Sequence, residues 1–248
     1  LKKEGYRFVI RAISYNLRKH KAATELDALS QTPDLDVLCL QEAISTQLPQ
    51  EIGNLHLADS TKNNRLGLAV YYRRDRYEHV RSQAFELKKS LHDRVFGPTT
   101  ERLVGSQLID RETSQEIVVA SFHAAPLTAL NSLRRNQIKA AHSLLKDLGS
   151  GSPILMLGDY NYPLFKDGLT QRINKTGYDL SLSDRITYTN YKFFRGHFDF
   201  VTSQGFTIEG VETMPRGSSD HLPILVTASY GTTNTHQSTI SPSGAVSR

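Results

Sequence analysis

The chain has 248 residues, of which 38% are hydrophobic and 22% charged, a composition that builds a core and excludes wholesale disorder. No apolar run approaches the ~20 residues that span a bilayer, which excludes an integral helical membrane protein. Thirty Lys and Arg against 25 Asp and Glu leave a net charge of +5, a surplus that suits a phosphate-bearing partner, while a single cysteine excludes an internal disulfide and a thiolate metal site.

The chain opens on Leu1, with no Met and no charged-then-apolar leader, and reads as a trimmed or processed form. Strands are expected at residues 8–14 and 36–40, with a weaker helix at 22–29 between them. Cys39 lies within the apolar run Val37-Leu38-Cys39-Leu40, where a free cysteine serves as a small buried hydrophobe. Further strands come at 66–72, 103–109 and 117–122. The clearest helix covers 130–148, with Leu133, Ile138, Ala141, Leu144, Leu145 and Leu148 forming an apolar stripe that Gly149 and Gly151 end. Strands return at 154–157, 198–202 and 222–227. Many strands and few helices predict an α+β chain folded as a layered sandwich rather than a strict βαβ alternation. No linker divides residues 1–228, which read as one domain. Residues 229–248, rich in Ser, Thr, Gly and Asn, read as a disordered tail.

The apolar runs share one informative feature: each gives way to polar groups of a particular kind. Asn16 succeeds Ile13-Ser14-Tyr15, and Gln41-Glu42 succeeds the run ending at Leu40. Gly158-Asp159-Tyr160-Asn161 succeeds 154–157, Asp199 is flanked by Phe198 and Phe200, and Ser219-Asp220-His221 precedes the last strand. Oxygen ligands and imidazoles are thus delivered to the end of a sheet, where rigid backbone fixes their positions. A cluster of Glu, Asp and Asn suits Mg²⁺, and His123 and His221 exchange protons near neutral pH. Metal and imidazole together are the parts of a phosphodiester hydrolase. Each segment alone has an ordinary reading as a turn, a cap or a loop start; it is their joint order that points to a site.

The order Tyr15-Asn16, Leu40-Gln41-Glu42, Phe122-His123, Gly158-Asp159-Tyr160-Asn161, Phe198-Asp199-Phe200-Val201 and Ser219-Asp220-His221-Leu222-Pro223 resembles the endonuclease/exonuclease/phosphatase superfamily. That is the family of deoxyribonuclease I, apurinic endonucleases, bacterial sphingomyelinases and inositol polyphosphate 5-phosphatases. The resemblance implies a four-layered α/β sandwich, with two mostly antiparallel sheets face to face and helices outside. It implies metal binding by Glu42 with Asn16 and Asp220, and positioning of water and phosphate by Asp159 and Asn161. His221, oriented by Asp199, would be the base or proton relay, and His123 would meet the scissile phosphate or leaving oxygen. Arg102 and Arg135 resemble positions where some members place phosphate-binding arginines. Two departures stand out: Ala43-Ile44-Ser45 lacks the arginine many family nucleases carry after Gln-Glu, and residues 65–70 offer no acid to pair with His123. The Gln41-Glu42-Ala43, Phe122-His123-Ala124 and Asn131-Ser132-Leu133-Arg134-Arg135 segments are similar to the nuclease subunit of cytolethal distending toxins.

Arg18-Lys19-His20-Lys21 leaves the first strand at the expected catalytic rim, so Arg18, Lys19 and Lys21 are candidate phosphate contacts. Residues 188–200 interleave aromatic and basic side chains, as nucleic-acid-binding segments do. The expectation is a Mg²⁺-dependent (Mn²⁺-competent) phosphodiesterase, foremost a nuclease acting on DNA. A phosphoinositide phosphatase or sphingomyelinase-type phospholipase could use the same residues, and a catalytically silent phosphate-binding protein is the non-enzyme alternative.

Overall fold

The computed structural model describes residues 7–90, 100–162, 166–191 and 194–231. Seven strands form one sheet, in the spatial order β14 (Thr207–Thr213), β15 (Ile224–Gly231), β1 (Arg7–Asn16), β2 (Val37–Ala43), β5 (Gly67–Arg73), β4 (Leu55–Ser60) and β3 (Glu51–Ile52). Six form the other: β10 (Asp179–Leu182), β13 (Asp199–Gln204), β9 (Ile154–Asp159), β8 (Glu116–His123), β7 (Glu101–Asp110) and β6 (Tyr77–Glu86). A small ribbon pairs β11 (Tyr188–Tyr191) with β12 (Phe194–Gly196). Among the described residues the α-helices are α1 (Leu26–Ser30), α2 (Asn131–Leu148) and α3 (Lys166–Asn174).

Period-two alternation sorts the apolar residues into layers. Ile10, Ala12, Val37, Cys39 and Val70 of the first sheet meet Val104, Val119, Leu155, Leu157 and Val201 of the second in the central core. The opposite faces of the same strands are buried too. Val118, Ala120, Phe122 and Met156 pack under Ile138, Ala141 and Leu145 of α2, while Ile13, Leu38, Leu40 and Tyr71 pack against Leu26 and Leu29. Strands buried on both faces read as unbroken apolar runs, which is why the central strands are legible. The edge strand β6 alternates with charged residues, and the apolar pattern does not reveal it. As expected, Cys39 is buried, and burial pushes its thiol pKa upward.

Three expectations shift. The weak helix at 22–29 divides into a 3-10 turn, Lys21–Glu25, succeeded by α1. The last strand starts at Ile224 because Pro223 has no N–H to donate to the ladder. It also runs through Gly231, with Ser229, Tyr230 and Gly231 paired to Val9, Phe8 and Arg7, so the expected tail boundary at 229 falls inside a strand. The remainder of that tail, 232–248, lies outside the described residues, as do Lys192 and Phe193 of the aromatic–basic stretch.

Among the described residues, two strand pairs within the sheets are parallel, β1 with β2 and β8 with β9. Parallel neighbours need a crossover connection, here through α1 and α2 respectively. The consequence is positional. Each crossover brings two strands to the same edge of its sheet, and the two pairs end at Asn16 beside Gln41 and at His123 beside Asp159.

One buried group away from that edge gives the fold a pH dependence. His142 of α2 stacks on Tyr178 with 3.7 Å between ring centroids and bonds Thr176 and Thr202 through its two ring nitrogens. Burial, helped by the Lys146 ammonium, pushes its pKa down to about 3. Above pH ~6.5 the ring is neutral in both folded and unfolded chains and adds no pH dependence. Below it, the unfolded chain takes up a proton that the native state refuses. This site's contribution to stability therefore falls by about 1.4 kcal/mol per pH unit down to the folded pKa. Denaturant unfolding across that pH range should show a shallower decline for His142→Gln than for wild type; parallel curves would clear His142 of any part in the pH dependence.

Candidate active site

β1 and β2 set the first wall. The Gln41 side chain is fully buried and donates to Ser14 Oγ at 3.1 Å and to Ser121 Oγ at 3.0 Å on β8. It bolts the two sheets together directly beneath the site, a role its sequence position does not disclose. A bulge between Leu40 and Ala43 then interrupts pairing with β5, and Glu42 sits there at φ 54°. Bulges re-aim a side chain, and this one sets Glu42, half-buried, in the wall of a cleft. Its Oε2 accepts from Lys19 N at 2.9 Å and its carbonyl from His20 N at 2.8 Å. Arg18, Lys19 and His20 are all left-handed as well, at φ 48°, 56° and 68°. Non-glycine residues held there cost of order 1–3 kcal/mol each, a cost the bonds to Glu42 and that from Ile44 N to His20 Nδ1 (3.1 Å) help offset.

β8 and β9 set the facing wall. A Cβ at Gly158 would fall 1.9 Å from the Phe122 carbonyl oxygen, so only glycine lets β9 reach this depth beside β8. Asp159 comes next, buried, and its Oδ2 is the hub of the site. It accepts from Asn16 Nδ2 across the sandwich at 3.0 Å and from Asn161 Nδ2 at 3.3 Å. His123 Nε2 and His221 Nε2 stand 3.6 and 3.8 Å from the same oxygen. Burial raises the Asp159 pKa to about 7 against the pull of His221.

His221 arrives from the loop before β15. Ser219 Oγ donates to the Asn16 carbonyl at 2.7 Å and fixes that loop to the end of β1. Glu25 clamps it from outside, accepting from Ser218 N and Oγ at 2.5 and 2.6 Å and from Tyr15 Oη at 2.8 Å. Nδ1 of His221 lies 2.7 Å from Asp199 Oδ2, which places the ring proton on Nδ1 and turns Nε2 to the cleft. Burial opposes charge on this ring, but Asp199 and Asp159 outweigh it and lift its pKa to about 10. Asp199 is aimed by Thr187, whose Oγ1 accepts from the Phe198 and Asp199 amides at 3.0 and 3.1 Å.

These groups open on a cleft of about 600 Å³. Arg18, Lys19 and Lys21 line it, with Asp220 beside Arg18 (3.6 Å). The two arginines expected to meet phosphate occupy different places. Arg102 borders the cleft, but it is buried and its Nη1 donates to the carbonyls of His123 and Ala124 at 3.0 and 2.9 Å; it positions the His123 backbone. Arg135 does not line the cleft. It projects from α2, donates to Tyr162 Oη at 3.1 Å and lines a neighbouring recess. In its stead Arg65, which no sequence motif singles out, lines the cleft. Glu101 holds the loop that precedes it by accepting from the Lys62 and Asn63 amides, both at 2.9 Å.

The sequence profile described as the Endonuclease/Exonuclease/phosphatase family matches residues 12–221, a span that includes every candidate catalytic and metal-binding residue named above. The chain belongs to the endonuclease/exonuclease/phosphatase family. Its members are hydrolases acting on phosphoester bonds, and the two-sheet architecture found here is the family's four-layered sandwich. An endonuclease/exonuclease/phosphatase family protein from Bacteroides thetaiotaomicron is similar in fold at a TM-score of 0.72 and 16% identity, over 92% of this chain and all of that one. A mannosyl-6-phosphatase from B. thetaiotaomicron VPI-5482 gives 0.69 and 17%, over 88% and 99% of the two chains. TDP2 from D. rerio, complexed with a single-strand DNA product, gives 0.65 and 15%, over 89% and 98%. No curated protein sequence matches significantly.

A divalent cation of the kind this family uses fits the residues present. Asp199 Oδ1 is buried with no hydrogen-bond partner among the described residues, and buried Asp159 keeps its negative charge only against a strong desolvation cost. The oxygen donors of Glu42, Asn16, Asp159 and Asp220 are those a hard cation takes. Asp159, Asp199 and His221 also bring their ligand atoms within 4.8 Å of one another. Among the described residues no helix is long and apolar enough to cross a membrane.

Proposed function

We propose that this protein is a Mg²⁺- or Mn²⁺-dependent phosphodiesterase whose substrate is DNA, cut by in-line attack of water. The observation that carries the reading is the cleft's division of charge. Carboxylates and imidazoles line it together with Arg18, Lys19, Lys21 and Arg65, cations that would meet flanking phosphates. Glu42, with Asn16 and Asp220, would hold the metal, which when bound polarises the phosphoryl oxygen and neutralises its charge.

The chain's own groups handle the proton and the geometry. Asp199 holds the His221 ring so that Nε2 faces the cleft. A ring this basic carries a proton at neutral pH, where it stabilises negative charge on phosphate. It accepts a proton from water once the negative charge around it has been neutralised. Asp159 and Asn161 orient that water, and Asn161 is itself held by its backbone N–H, which donates to Asp159 Oδ1 at 2.9 Å. His123, facing Asp159 from the other side, donates to the phosphate or to the leaving oxygen. By family analogy the products are a 5′-phosphate and a 3′-hydroxyl. All these groups belong to one catalytic domain.

The test is a salt series. Protein silenced by Glu42→Ala should bind short duplex DNA with an affinity that falls with salt, at a slope of roughly −0.9 per phosphate contact. Adding Arg18→Ala, Lys19→Ala and Lys21→Ala should flatten that slope. Absent or salt-insensitive binding, with no cleavage of DNA by wild type, would turn the reading toward a lipid or small phosphoester substrate.

A further inference from the structure

A second recess, of about 610 Å³, lies between α2 and α3. Arg135 and Lys139, four residues apart, share one face of α2, and Arg172 and Lys175, three apart, share one face of α3 and its C-terminal end. All four line the recess, and among the described residues no carboxylate does. Like charges at i and i+4 weaken a helix by a few tenths of a kcal/mol, and none of the four cations forms an ion pair with a described residue. Among the described residues no Phe, Tyr or Trp lines the recess, so it offers charge without a stacking platform.

The recess adjoins the catalytic cleft on two sides. Asn161 lines the cleft, and the next residue, Tyr162, accepts the hydrogen bond from Arg135. Pro126, Leu127 and Thr128 also line the cleft, and the chain passes from them into α2.

We propose that this groove carries the phosphate backbone of the polynucleotide whose scissile phosphate occupies the cleft, making the substrate-binding surface an extended track. The inference rests on the polynucleotide reading above. Two cations about 6 Å apart along α2 suit a repeating phosphate better than a single anionic group. Contacts of this kind set position and register without reading sequence.

The experiment compares protein carrying Glu42→Ala with the same protein also carrying Arg135→Gln, Lys139→Gln, Arg172→Gln and Lys175→Gln. Single strands of about four to about sixteen nucleotides are titrated across a salt series. The parent should bind longer strands more tightly. The groove variant should lose that gain, with a salt slope shallower by about 3, since each contact contributes about −0.7 on single strands. Acetylation footprinting of the parent, which needs no groove variant to fold, should show Lys139 and Lys175 protected by the longest strand and not by the shortest. Equal length dependence and salt slope in both proteins, or full reactivity of both lysines, would overturn the groove while DNA cleavage by wild type leaves the proposed function standing. Loss of binding to phosphatidylserine vesicles, with strand binding unaltered, would overturn it in favour of a membrane surface. If wild type neither binds nor cuts any polynucleotide, the functional reading fails first and the groove fails with it.

Discussion

Asp199→Asn is expected to lower turnover by roughly 10²–10⁴-fold while the protein stays folded. The substitution keeps the size of the side chain and leaves the Thr187 bonds to the Phe198 and Asp199 amides in place. What changes is the charge facing His221 Nδ1 at 2.7 Å. An amide can present its NH₂ to Nδ1, which would move the ring proton to Nε2, the nitrogen that must be free to accept one from water. His221→Ala should cost at least ~10²-fold by removing the base itself. The double variant should be little worse than the worse single one, because groups acting as a unit are not additive. Single-turnover rates with saturating metal, beside melting curves, are the measurement. Near-normal rates for folded Asp199→Asn and His221→Ala would assign the pair to structure.

The second large effect concerns Glu42. Its backbone is strained and its carboxylate is half-buried, with Oε2 accepting the Lys19 amide. Glu42→Gln keeps an oxygen for that amide and removes only the charge. Turnover should fall by ~10²-fold or more, and Mn²⁺ affinity, read by calorimetry without substrate, should fall tenfold or more. Excess chelator should abolish wild-type activity. Full activity after verified metal removal, or unchanged Mn²⁺ affinity in Glu42→Gln, would rule out Glu42 as the principal ligand.

Much of this molecule is legible in its local sequence. The runs ending at Asn16, Gln41, His123 and Asp159 are central strands buried on both faces, so their apolar continuity survives in one dimension. The crossovers bring these strand ends to a shared edge, where His123 and Asp159 line the cleft, Asn16 bonds Asp159 from behind it, and Gln41 lies buried beneath. Long-range contacts are not legible. Asn16 and Asp159 share a hydrogen bond across 143 residues, and no local pattern encodes that. The bulge at Glu42, the bolt at Gln41, Thr187 beneath Asp199 and Glu25 against Ser218 depend likewise on what lies opposite. The arginines make the point most directly. Arg65, Arg102 and Arg135 are alike as letters, and tertiary packing alone decides that one lines the cleft, one props the His123 backbone and one faces the α2/α3 groove. Periodicity is a local property that the chain carries by itself; the neighbours that set a side chain's charge, partner and exposure exist only once the two sheets have closed on each other.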